Sequence, residues 1–184
     1  EAHARMISAG ARVVLAAGYQ VSRMGAVASG RRPEEADELL VEATRRAVTA
    51  RDSMRAQRPG PAWVAASIGP YGAALADGSE YRGRYALARS ELAEFHRGRL
   101  TVWGEAQRRP STRADVWWCE TLPDGIEAEV LADELVRAST ALGEQGLPVP
   151  EIVVTMTVRS DGRCPTGEPV DEALAPILGG GALK

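Results

Sequence analysis

At 184 residues, 45% of them hydrophobic and 26% charged, the chain has the size and composition of one globular domain able to bury a core. A formal net charge of −3 and arginines scattered among acids, such as Arg12, Arg23, Arg31 and Arg32, argue against nucleic acid as a partner. No stretch approaches the ~18 apolar residues of a membrane span, no signal-peptide pattern is present, and two cysteines, Cys119 and Cys164, suit a reduced cytoplasmic protein.

The chain opens without a methionine and already in helical register (EAHARMISAG), as the middle of a longer protein would. A turn at Gly10 leads into a buried strand, RVVLAAGY, over 12–19. The segment 32–54 reads as a helix: Pro33 suits its first turn, Glu34 and Glu35 suit its N-terminus, and basic residues gather at the other end. Leu39, Leu40, Ala43, Ala47 and Val48 recur at helical spacing as its inner face. PAWVAASIG (61–69) is a second strand, and 90–106 a second helix with Ser90 as its N-cap. ADVWWCET (114–121) is a third strand, 125–146 a third helix closing on Gly143 or Gly146, EIVVTMTV (151–158) a fourth strand, and 170–178 begins another helix.

Strands and helices therefore alternate four times. Each strand is short and nearly all apolar, as parallel strands covered on both faces are, and the intervening helices imply right-handed βαβ crossovers. The fold class is α/β. The residues of unusual composition all follow strand C-termini: GYQVS (18–22), SIGPYGAALADGSEY (67–81), CETLPD (119–124) and TVRSDGRCPTGEPV (157–170). That edge carries ligand groups in parallel α/β folds. Neither a G-x-G-x-x-G turn nor a G-x-x-x-x-G-K-[ST] loop occurs, which disfavours a nucleotide-binding doubly wound sheet. A barrel reading makes these units about half of the eight such a fold requires.

SIGPYGAALADGSEYRGRY (67–85), followed by FHRGR (95–99) and CETLPD, closely resembles the homocysteine S-methyltransferase family. AGARVVLAAGYQVS and TMTVRSDGRCPTGEPV are similar to that family's second- and fifth-strand segments, and the match runs in order along the whole chain. The resemblance implies a single domain over 1–184 comprising the second to fifth units of a (β/α)8 barrel. It implies methyl transfer from a sulfonium donor, S-methylmethionine or S-adenosylmethionine, to the thiol of homocysteine, giving methionine. The partners implied are thus small molecules, an amino-acid thiol and a methyl donor. The family's cofactor is zinc, held by three cysteines that turn the thiol into a thiolate nucleophile. Those ligand segments have no counterpart here, where LGGG stands near the end of the chain, so no metal ligand is assigned. Part of a barrel leaves sheet edges open, so completion by further chain or by homo-oligomerisation is expected. A non-catalytic half-barrel that self-associates or joins a partner is the alternative.

By the same resemblance Glu120, directly after the third strand, binds the amino group of homocysteine. Gln20 adds polar contacts at the mouth, with Tyr19 packing beside it. The mouth loop is read as structural through Gly69, Tyr71, Gly72, Asp77 and Gly78. Gly72 and Gly78 would supply positive φ, Asp77 and Ser79 would bond neighbouring amides, and the tyrosines would pack with their phenol ends in water. Alternation with Glu120 turns Cys119 outward as a small hydrophobe. Cys164 has no partner at metal-ligand spacing. His96 is expected to make a structural hydrogen bond to the 67–85 loop.

Overall fold

A computed structural model describes residues 1–58 and 60–179. The elements run α1 (Ala2–Ser8), β1 (Val13–Ala16), α2 (Arg23–Ala28), α3 (Pro33–Met54), β2 (Trp63–Ile68), α4 (Tyr71–Leu75), α5 (Arg89–Ala106), β3 (Val116–Leu122), α6 (Gly125–Glu144), β4 (Glu151–Met156) and α7 (Val170–Gly179). Single 3-10 turns occur at Ser79–Tyr81 and Pro110–Thr112. The four strands pair in parallel in the order β1-β2-β3-β4. Each strand lies beside its predecessor, as in successive units of a (β/α)8 barrel; a doubly wound sheet would reverse its order at a switch point.

Register assigns the two faces. Ala66 pairs with Trp117 and Ile68 with Cys119, and all four are fully buried. With Val14, Val64, Leu122, Ile152 and Val154 they form the face that α3, α5, α6 and α7 cover. The opposite face carries Val13, Trp63, Ser67, Trp118 and Val153 in the same registers. Here an open concavity of about 520 Å³ lies toward the strand N-termini. The sheet thus has a finished outer layer and an inner face covered only in part: Ala65, Ser67 and Val116 are buried, but Trp63 is exposed and Trp118 half-buried.

The helices follow their sequence signals with some displacements. In α3, Pro33 takes the first turn and the Glu35 carboxylate accepts from the Arg32 amide at 3.1 Å. Its buried stripe is Ala36, Leu40, Thr44, Ala47 and Val48; Leu39, expected inside, is 46% exposed, one position off the stripe. The N-cap of α5 is Ala88 rather than Ser90, with the Glu91 carboxylate accepting from the Ala88 amide at 2.8 Å. Ser22 and Asp124 cap α2 and α6 through their side-chain oxygens. The first strand is shorter than the apolar run suggests, because Gly18 turns back to bond the carbonyl of Ala16 at 2.8 Å.

Candidate functional site at the strand C-termini

The segments singled out after each strand meet at one rim. β1 leads into Gly18-Tyr19-Gln20, β2 into the loop from Gly69, β3 into Pro123-Asp124 and β4 into Thr157. One outer-layer side chain ties the first two together. The guanidinium of Arg99, on α5, donates to the carbonyls of Gly69 (2.8 Å), Gly18 (2.9 Å) and Tyr19 (3.2 Å). It lies 5.3 Å from the ring centroids of both Phe95 and Trp103. Desolvation in this buried setting lowers its pKa to about 10.

Gly69 and Gly72 are required for space. A Cβ at Gly69 would stand 2.5 Å from the Tyr19 carbonyl and 2.7 Å from its ring, so the absent side chain lets Tyr19 lie across the end of β2. A Cβ at Gly72 would come within 2.4 Å of the Glu80 amide. Gly72 lies inside α4 and outside the positive-φ glycines, which corrects the expected reason for it; Gly78 does take positive φ, at 79°. The Asp77 carboxylate accepts from the Ser79 amide at 2.9 Å and from its hydroxyl, which holds the Asp77 pKa below the usual carboxylate range. Tyr71 packs edge-on against Tyr85 and Phe95, with centroids 5.1 and 5.2 Å away. Tyr81 is exposed, but the Tyr85 hydroxyl is buried rather than wet. Burial, then the nearby Glu127 carboxylate, pushes that phenol up.

His96 reaches the loop through an intermediary. Its Nε2 lies 2.8 Å from Oε1 of Glu127, and the same oxygen accepts from the Tyr71 amide at 2.6 Å. Both side chains are fully buried. Nothing local in the sequence marks Glu127, in the first turn of α6, as the bridge; it looks like an ordinary helix-start acid.

Glu120 sits near the end of β3, two residues beyond Trp118, whose register partner is Ser67 on the inner face. The Ser67 hydroxyl donates to its Oε1 at 2.5 Å. Gln20 is exposed on the rim. The Tyr19 phenol lies near Thr121 and within the field of Glu120. Burial raises its pKa most; Thr121 beside it opposes that, and the Glu80 and Glu120 carboxylates add to it. The Thr121 contact stops short of full hydrogen-bond geometry. Glu80 is itself 6% exposed, with one carboxylate oxygen buried and unpaired.

The residues present do not make a zinc site. Among the described residues no three His, Cys, Asp or Glu side chains converge. Cys119 faces the helices, and burial pushes its thiol up to about 12, which opposes the thiolate a metal needs. Cys164 is buried in its own loop, bonded backbone to backbone with Glu168 and Gly167. The LGGG segment lies largely outside the described residues.

The homocysteine S-methyltransferase family model matches residues 1–182. The chain belongs to the homocysteine S-methyltransferase family. It is 43% identical over 137 residues to homocysteine S-methyltransferase YbgG of Bacillus subtilis, an overlap of 71% of this chain and 41% of that one. It is 34% identical over 181 residues to the Escherichia coli homocysteine S-methyltransferase, an overlap of 97% and 54%. The metallated crystal form of the homocysteine methyltransferase MmuM from Escherichia coli superposes with a TM-score of 0.83 at 33% identity, covering 98% of this chain and 58% of that one. The chain spans about half the length of the curated relatives it matches. No helix among the described residues is long and apolar enough to cross a membrane.

Proposed function

We propose that these residues form the amino-acid-binding side of a barrel that methylates homocysteine. The donor is a sulfonium compound, S-methylmethionine or S-adenosylmethionine. The homocysteine sulfur forms a bond to the methyl carbon while the donor's sulfur–methyl bond breaks. Its electron pair stays on the departing sulfur, leaving a neutral thioether, and the homocysteine proton is lost to solvent. Glu120 receives the substrate ammonium and Gln20 contributes a polar contact, while the 67–85 loop walls the mouth. Since the residues here do not fit zinc, activation of the thiol is assigned to groups outside this stretch. Strands that cover the inner face come from further chain or from a second copy, in a cytoplasmic setting.

The observation that supports this most is the placement of Glu120. It is a carboxylate on the inner face at the strand C-termini, oriented by Ser67, within a chain of this family. The test is methionine formation from L-homocysteine by the full reading frame that carries these residues, with the two donors compared. Glu120→Gln should raise the KM for homocysteine about 10- to 100-fold, the value of a charge-assisted hydrogen bond. No methionine from either donor, with zinc supplied, sinks the reading.

A further inference from the structure

Among the described residues, three besides glycine have left-handed backbone: Ala76 (φ 55°), Arg84 (φ 56°) and Thr121 (φ 67°). Only Thr121 is β-branched, which makes this conformation most unfavourable, and only Thr121 lies within a strand. Strain of this kind survives where surrounding contacts over-determine it, and it gathers at ligand sites.

The strain coincides with a change of register. Cys119 pairs with Val154 and Leu122 with Met156, so β3 places two residues, Glu120 and Thr121, opposite the single Thr155. That is a β-bulge. Strict alternation from Cys119 would send Leu122 to the inner face, yet Cys119 and Leu122 share the helix-side core and both are fully buried. The bulge absorbs the extra residue at the point where Glu120 is displayed.

Three contacts from β4 and its extension hold the bulge. The Thr121 amide donates to Oγ1 of Thr155 at 3.3 Å, and the Thr157 hydroxyl donates to the Thr121 carbonyl at 3.3 Å. The Thr157 amide donates to the Leu122 carbonyl at 2.8 Å. On the other side the Ser67 hydroxyl fixes one oxygen of Glu120, and the Tyr19 phenol lies beside Thr121.

We propose that Thr121 is a positioning residue, whose left-handed backbone, latched by Thr155 and Thr157, aims the Glu120 carboxylate at the α-ammonium of the amino-acid substrate. This rests on the assignment of Glu120 as the ammonium ligand. Thr155 and Thr157 act only through that backbone, so each latch can be removed without touching Glu120.

The experiment uses the full-length enzyme and reads KM for L-homocysteine separately from KM for the methyl donor and kcat. The near-isosteric pair Thr155→Val with Thr157→Val should raise the homocysteine KM about tenfold, as misplacement of a binding group does. Donor KM and kcat should stay within about twofold. Thr155→Ser with Thr157→Ser, which keeps both hydroxyls, should restore it. In a Glu120→Gln background the Val pair should change homocysteine KM by less than about twofold, because the group being aimed is already lost. Should the Val pair not fold, Thr121→Gly provides the second arm. It relieves the φ strain, so its melting temperature should hold or rise, while homocysteine KM still climbs severalfold. If Glu120→Gln raises the homocysteine KM but neither the Val pair nor Thr121→Gly does, the positioning role is overturned and the ligand role of Glu120 stands. If Glu120→Gln itself leaves that KM unchanged, the ligand role fails and takes the positioning role with it.

Discussion

Trp117 and Trp118 are neighbours in sequence and opposites in environment. Trp117 is fully buried among the helices, whereas Trp118 is half-buried on the inner face. There it lines the same open concavity as Trp63, which is 42% exposed. The contrast continues one step on, with Cys119 outward in the core and Glu120 inward beside Ser67. Period-two alternation thus divides β3 between two jobs. Its outer face is already packed, while its inner face displays polar and aromatic groups that neighbours from the rest of a barrel would cover.

Truncating the two tryptophans in turn should separate the two faces most. Trp117→Ala should cost about 3–5 kcal/mol, the range for emptying a large core site. Trp118→Ala in this chain should cost less than about 1 kcal/mol, as for a partly exposed side chain. Urea unfolding followed by circular dichroism measures both, and equal costs would mean that the inner face is covered after all. Arg99→Met comes next. It leaves the Gly18, Tyr19 and Gly69 carbonyls without their donor, at about 3 kcal/mol, and the loss should be read as a lower melting temperature. Gly72→Ala follows, at about 1–3 kcal/mol for overpacking against the Glu80 amide.

A smaller effect depends on pH. The folded state holds the Cys119 thiol protonated up to about pH 12, whereas an unfolded thiol ionises near pH ~8.5. The folded chain therefore binds more protons above that point. The stability this thiol contributes is complete below pH ~8.5 and falls as pH rises toward 12. Melting temperatures of the parent and Cys119→Ala, compared from pH 7.5 to 10, should converge upward through that window. A constant gap would refute the buried-thiol account. The smallest effect is at Gln20: Gln20→Ala should shift stability by no more than about 0.5 kcal/mol, while the polar contact proposed for it predicts weaker homocysteine binding in an assay of the full reading frame.

Much of the sheet was legible because its strands are short apolar runs separated by helices with ordinary start signals. The direction of Cys119 and Glu120 followed from alternation alone. Features set by close approach were less visible. Gly72 serves steric fit rather than φ, and only the proximity of Glu80 reveals this. Arg99 and Glu127 look like surface charges in helical sequence, yet both are buried at junctions between helix and loop. The bulge at Thr121 falls in CETL, with no glycine or asparagine to announce left-handed backbone. The contacts that hold it come from β4 and its extension, two of them to hydroxyls 34 and 36 positions away.

The Arg99 guanidinium makes part of the rim a dependency of the outer wall. Gly18, Tyr19 and Gly69 belong to two different loops, but their carbonyls share one donor mounted on α5. Those loops cannot open independently without stranding buried carbonyls. Amide hydrogen exchange should therefore find the rim after β1 and β2 opening in step with α5, as one cooperative unit. On that side the entrance to the barrel behaves as a fixed jamb rather than a swinging lid.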